Sequence, residues 1–464
     1  MITLGQYADI LLHAISVKEG EILKDLFALE FFQDGGNKQN SDGKANVTEE
    51  ALKSVSDVRA QVLQSNLLKC GGFLASPWLE IATNHFVVAT RLSFLRSLSD
   101  VNSVSALSPH AMVHPLGCTV QQLIKETWTA MNTLIIAFLR LFSSLQQGRW
   151  CSATLVMLLS NYRRLSVLAD EVEKKASIPL TGQKGKQNQA HLEECARQLN
   201  KAFSACVSDR TSEESVSRKW ATYEIVGLVF RGYFKLCSLG LCRNILRAIG
   251  AADLPDFERF PRAQRVTFKY YVGVLAFLNE DYSNAETDLD YAFEQCHKDA
   301  HHNQEMILRY LVPCRLLRGI VLKDSFLSTF PKLSTLYSGF IRAIKMGDVR
   351  SYDAILETPI MERGLVQIGT YLAIERAREI CLRGLLKRVY KSKDCNSRIP
   401  LLDFHHALQF VGVELELLET EWLVASQIAK GYLRGYISHS HMIAVLSSQN
   451  PFPKLNTITN VTLS

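Results

Sequence analysis

Proline is scarce in this chain, 12 in 464 residues, which leaves long stretches where nothing interrupts a helix. The eleven cysteines include no C-x-x-C pair, so the usual zinc-ribbon and thioredoxin-like spacings are excluded. No G-x-x-x-x-G-K-[ST], G-x-S-x-G or G-x-G-x-x-G pattern occurs. Phosphate-loop, α/β-hydrolase and dinucleotide readings therefore lack support. The longest apolar run, "AMNTLIIAFLRLFSSL", is broken by Arg140 within a span too short to cross a bilayer. The opening "MITLGQYADILLHAISVKEG" lacks a basic n-region and a small-residue cleavage site, so a signal peptide is not expected. Charge excess is small as well. Lys and Arg total 52 against 46 Asp and Glu, a net charge of +6. That is too weak for a histone-like binder, but it matters if concentrated on one face.

What is present is the composition of a folded protein, 47% hydrophobic and 21% charged. The length exceeds one ordinary core, so several domains or one elongated repeat array are expected. Cys151, Cys206, Cys296, Cys314 and Cys381 sit inside apolar helical runs. They read as buried thiols of a reducing compartment, and the chain as soluble and intracellular.

Helical periodicity dominates. An opening helix is predicted from residue 2 to about 29, with Tyr7, Ile10, Leu11, Ala14 and Ile15 at helical spacing. Polar or Pro-containing segments at 33–50, 99–117 and 181–189 read as loops, the first of them flexible. The grammar is clearest in "RAQRVTFKYYVGVLAFLNEDYSNAETDLDYAFEQC". One helix carries Tyr270, Tyr271, Ala276 and Phe277; after a short turn a second carries Ala285, Leu289, Ala292 and Phe293. Small residues such as Gly273 let the pair approach, which is the logic of a tetratricopeptide-like hairpin. Weaker echoes occur at "QQGRWCSATLVMLL", "KLCSLGLCRNILRAI" and "IKMGDVRSYDAIL". Such hairpins bury their apolar faces only by stacking into a solenoid.

The grammar changes near residue 380. A helix "ICLRGLLKRVYKSK" leads to a β-prone "SRIPL", then to helices in "LDFHHALQFVG" and "ELLETEWLVASQIAKGY". Two strands, 434–438 and 442–446, flank His439-Ser440-His441. Helix, strand, helix, helix, hairpin is the element order of a winged helix. The expected fold is mainly α: a TPR-like helical-repeat solenoid followed by a C-terminal winged helix. The expected domains are N-terminal helices at 1–125, the solenoid at 126–375, the winged helix at 376–455 and a tail at 456–464.

Helical repeats running into a winged helix resemble the PCI-domain family. The phrases "AQRVTFKYYVG", "RNILRAI", "MILRYLVPCRLLRG" and "GYISHSH…SSQNPFPKL" resemble its subunit of the TREX-type nuclear mRNA-export complex, itself described as similar to signalosome subunit 12. The resemblance covers roughly residues 190–455. It implies a non-enzymatic scaffold, nuclear and at the nuclear pore with some cytoplasmic pool, coupling transcription to export. The implied partners are a large export-complex scaffold protein with its own PCI-like region and a small acidic disordered subunit shared with the proteasome lid. RNA or DNA backbone is implied too, with no membrane insertion, no small-molecule substrate and no cofactor. A scaffold subunit of a signalosome or proteasome-lid-like assembly is the alternative, and a metal-dependent hydrolase the rival from another class.

The rival rests on histidines. His439-Ser440-His441 is half of the zinc motif of the MPN metalloproteases that share complexes with PCI subunits. The motif's later Ser and Asp positions hold Gln449 and Phe452, so zinc would have half a shell; a solvated wing tip is the plainer reading. His297, His301 and His302, beside Cys296, are expected to close a helix, where imidazoles suit the dipole without a metal.

Charge is the stronger signal. On the helix opening the winged helix, Leu382, Leu385, Leu386 and Val389 share one face. Arg383, Lys387 and Lys391 recur every fourth residue and are expected on the opposite face, with Arg388 beside them. Lys393, Arg398 and Arg434 extend this predicted nucleic-acid-binding strip, and Arg262, Arg265 and Lys269 form a second basic group. Around the helix that would enter a major groove lie Glu414, Glu416, Glu419 and Glu421. Their carboxylates repel phosphate, so sequence-specific groove insertion is not expected. Nucleic acid would bind through its backbone, with strong salt dependence.

Overall fold

The computed structural model of the chain describes residues 4–29, 76–97, 110, 112–113, 118–176 and 189–455. Two compact units divide the molecule, Met1–Arg265 and Val266–Ser464. The described residues are mainly α-helical, with helical hairpins followed by a winged helix. The segment 33–50, the tail 456–464 and most of 99–117 and 181–189 lie outside the described residues.

The first unit comprises α1 (Leu4–Val17), α2 (Gly20–Leu26), α3 (Trp78–Ser97), the short antiparallel pair β1 (Met112–Val113) and β2 (Cys118–Thr119), α4 (Val120–Ser144), α5 (Ser152–Ala176), α6 (Ala190–Val207), α7 (Thr222–Lys235) and α8 (Leu239–Ala251). The opening helix expected from the sequence is two helices. Lys18 takes a left-handed φ of 56° and ends the first. At Gly20 a side chain would strike the Trp150 carbonyl oxygen, 2.1 Å from where its Cβ would stand, so only glycine lets α2 lie this close.

Helix α4 shows why the unit holds. Leu123, Ile124, Met131, Leu134, Ile135, Phe138 and Phe142 recur at helical spacing and are all buried. Its start is fixed by a capping box. Gln122 N donates to Thr119 Oγ1, and Thr119 N donates to Gln122 Oε1 at 3.0 Å. Its end is met by Arg218, whose Nη1 donates to the carbonyls of Phe142 and Ser143 at 2.8 and 3.1 Å. Those carbonyls have no partner within the helix, and the guanidinium suits the negative end of its dipole.

The second unit begins within α9 (Arg262–Leu278), which forms the clearest hairpin with α10 (Tyr282–Gln295). Gly273 permits their approach: a Cβ there would stand 2.7 Å from Leu289 Cγ. Asp281 accepts from Asn284 N and opens the second helix. The chain continues through α11 (His301–Leu317), α12 (Asp324–Leu327), α13 (Pro331–Met346), α14 (Val349–Leu356) and α15 (Pro359–Ile368).

The winged helix follows in the predicted order: α16 (Tyr371–Ser392), β3 (Arg398–Pro400), α17 (Leu401–Phe410), α18 (Leu417–Ala429), β4 (Gly435–Ser438) and β5 (Ile443–Leu446). The sheet is antiparallel in the order β3-β5-β4, with Ala444 opposite both Ile399 and Ile437. Leu386, Val389, Ile399, Leu401, Phe404, Val424, Leu433, Ala444, Leu446 and Phe452 form its core. Each fully buried large side chain among them contributes about 1.5–3 kcal/mol. Residue 125 lies inside α4 and residue 376 inside α16, so neither position marks a break in secondary structure.

Candidate interaction surface of the winged helix

The basic residues of α16 divide into two groups once the helix is packed. Arg383 does not stand opposite the apolar face. Helical phase places it one residue beyond the buried Leu382, on the flank of the core stripe. There it is half-buried, with Nε donating to the Tyr432 carbonyl at 3.0 Å and Nη2 to the Pro453 carbonyl at 2.5 Å. Its guanidinium carbon lies 5.7 Å from the Phe452 ring centroid. Burial lowers its pKa from the ordinary guanidinium value. Arg388 is exposed, but Nη2 donates to the Lys345 carbonyl at 2.5 Å. Lys393 pairs with Asp403 at 2.9 Å.

Lys387, Lys391, Arg398 and Arg434 are exposed, and among the described residues they form no ion pair. Desolvation, then the charges of Arg383 and Lys391, lower the Lys387 pKa. In the second basic group, Lys269 pairs with Asp288 at 2.6 Å and lies 5.8 Å from the Tyr291 ring, and Arg265 pairs with Glu258. Arg262 is exposed at the start of α9.

The hairpin of α17 and α18 has the opposite character. From residue 401 to 429 there is no Lys or Arg, while Asp403, Glu414, Glu416, Glu419 and Glu421 are present. The core side of α18 is Thr420, Val424 and Gln427. A half-turn away, Leu418 and Trp422 are 56% and 77% exposed, and Phe410, closing α17, is 92% exposed. The sequence reading missed these residues. Their signal was present: Leu418, Trp422 and Ala425 recur at helical spacing on a second face, beyond the Leu417, Val424 and Ile428 that pack on the core.

The histidines are placed by ordinary contacts. His439 Nδ1 lies 2.9 Å from Glu421 Oε2, tying the wing turn to α18. His297, His301 and His302 do not close a helix. Helix α10 ends at Gln295, and His301 and His302 open the first turn of α11. A turn at Cys296 separates the two helices, so the dipole argument reverses for this pair.

Among the described residues, Asp170, Glu173 and His191 form the cluster with metal-ligand spacing. Its carboxylate is already committed to the start of α6. Asp170 accepts from the backbone N–H groups of His191 and Leu192 at 3.1 and 3.0 Å, and lies 2.9 Å from His191 Nδ1. That is a helix cap supplied from a neighbouring helix. No helix among the described residues is long and apolar enough to cross a membrane.

Helical hairpins ending in a three-stranded winged helix define a PCI-type protein. No family model matches the chain. It is 42% identical over 467 residues to "Protein CSN12 homolog" of Mycosarcoma maydis, covering 97% of this chain and 98% of the relative. It is 32% identical to the protein of the same name in Schizosaccharomyces pombe, covering 80% and 94%. "PCI domain-containing protein 2" of Danio rerio is 28% identical over 98% of this chain and 99% of its own length. The chain belongs to the CSN12-like family of PCI-domain proteins, and its role is non-enzymatic.

The comparisons correct the finer part of the sequence reading. These three relatives carry CSN12 and PCI-domain names, not that of an export complex. The expected mRNA-export function, nuclear-pore site, transcription coupling and export-scaffold partner set are withdrawn on that finding. The quoted phrases mark a family; they do not distinguish which assembly a member enters.

Proposed function

We propose that the chain is a non-enzymatic scaffold subunit of a signalosome- or proteasome-lid-type PCI assembly. The observation that carries this reading is near-full-length similarity to a CSN12 homologue, 42% identical over 97% of the chain. The architecture agrees with it. Three of the side chains with chemical potential have structural partners: Asp170 caps α6, Arg383 secures the chain after the wing, and His439 pairs with Glu421. What remains outward-facing on the winged helix is suited to macromolecular contact. The test is purification of the tagged full chain from cells, with protein identification at native size. Co-elution with PCI subunits and deconjugation factors is expected; a free chain, or recovery with export factors alone, contradicts the reading.

Within that role, we propose that the basic strip meets a nucleic-acid backbone through Lys387, Lys391, Arg398 and Arg434. Among the described residues, these four of the predicted strip have neither a side-chain hydrogen bond nor an ion pair, whereas Arg383 and Arg388 donate to backbone carbonyls and Lys393 pairs with Asp403. Contact of this kind is electrostatic, so affinity falls steeply with salt and shows little sequence preference.

A further inference from the structure

We infer that the outer face of the α17–α18 hairpin docks a basic amphipathic helix of a partner protein. The inference rests on the scaffold reading and names one of its contact surfaces. Phe410, Leu418 and Trp422 expose more than half of their surface, and helical phase extends the α18 stripe through Ala425 and Ala429. Aromatic anchors within a polar rim are the usual anatomy of a binding centre. The hairpin itself is firmly built. Glu416 and Glu419 form a capping box at its second helix, and His405 Nδ1 lies 3.1 Å from Thr420 Oγ1 across the pair.

Charge selects the occupant. By helical phase Glu419 flanks the stripe, the exposed Glu414 and Glu416 precede it, and Glu421 on the other flank is paired with His439. Residues 401–429 include no Lys or Arg, and Arg350 reaches the hairpin at its turn, Gly412. Nucleic acid and anionic lipid would meet carboxylates there and be repelled. A second copy of the chain would bring the same carboxylates to a two-fold contact. A partner helix with apolar residues at i, i+3/4 and i+7, flanked by Lys or Arg, satisfies both the stripe and its rim.

The test places the photo-cross-linking residue p-benzoylphenylalanine at position 422 of the full chain in cells. The cross-linked segment is identified and then synthesised as a peptide. The expected segment is net positive with helical apolar spacing. Its peptide binds the purified chain, binding weakens with salt, and Trp422→Ala reduces affinity at least about tenfold without changing the melting temperature. Phe410→Ser, at the other side of the patch, weakens it as well. Cross-links to nucleic acid, to a second copy or to an acidic segment overturn the proposal, as does the absence of any cross-link. Sedimentation of the unsubstituted chain separates this from failure of the scaffold reading. A wild-type chain in a large assembly with no cross-link from 422 removes the docking proposal alone, whereas a wild-type chain sedimenting free removes the scaffold reading itself.

Discussion

Arg383 and Pro453 lie 70 residues apart in the chain and are joined by a hydrogen bond from guanidinium to backbone carbonyl. With its second bond to Tyr432, Arg383 fastens the segment after the wing onto α16. Hydrogen bonds from charged groups are worth roughly 1.5–3 kcal/mol each when their partners are shielded. Arg383→Ala is expected to destabilise the second unit by about 2 kcal/mol and to speed amide exchange across residues 447–455. Arg383→Lys keeps the charge but not the planar fork, so it should rescue little. Hydrogen exchange read by mass spectrometry checks both.

The exposed cations should behave differently. Lys387→Glu with Lys391→Glu and Arg398→Glu leaves the melting temperature within about 1 °C, since surface substitutions away from packed features cost little. In a gel-shift titration at low salt the triple variant should lose RNA and DNA retention, and with it the salt dependence. Retention equal to that of the unsubstituted chain would exclude the strip.

Asp209 and Arg218 form a buried pair at 3.1 Å in the first unit. Burial by itself raises the Asp209 pKa. Hydrogen bonds from Ser217, Thr211 and Arg218 outweigh it and hold the carboxyl well below its usual range. Removing one partner strands a charge, so Asp209→Ala should cost roughly 3–5 kcal/mol. The double variant Asp209→Leu with Arg218→Met should cost less than the single one, as chemical denaturation would show.

His85 makes the first unit sensitive to acid. The ring is fully buried, with Nε2 3.2 Å from the Phe27 carbonyl, and burial lowers its pKa to about 4. In the unfolded chain it titrates near 6.5. Between these values the unfolded state binds the extra proton, so stability is full above about pH 6.5 and falls as pH drops toward 4. Relative to His85→Gln, the natural chain should lose on the order of 3 kcal/mol across that window. Denaturation curves that stay parallel from pH 7 to 4 would contradict this.

Element order was legible because periodicity and breakers are local properties. The wing strands, the α9–α10 hairpin and the acidic α18 were all written in short windows of sequence. What failed needed packing. Arg383 shares its four-residue spacing with Lys387 and Lys391, yet sits closer in phase to the core stripe and is captured by Tyr432 and Pro453. His301 was assigned to the end of α10 because the turn at Cys296 contains neither Gly nor Pro. Trp422 and Leu418 carry no mark in the sequence that sets them apart as exposed, since a sequence does not say which face of α18 meets the rest of the fold. The assembly was out of reach for another reason: a resemblance of fold and phrase does not show which partners a surface meets.

The most direct measurement of the central claim is the protein composition of the native particle that contains this chain, resolved by size and read by mass spectrometry. The account predicts a large particle holding other PCI subunits of the signalosome or lid type. A chain migrating alone, or one recovered only with mRNA-export factors, would contradict it.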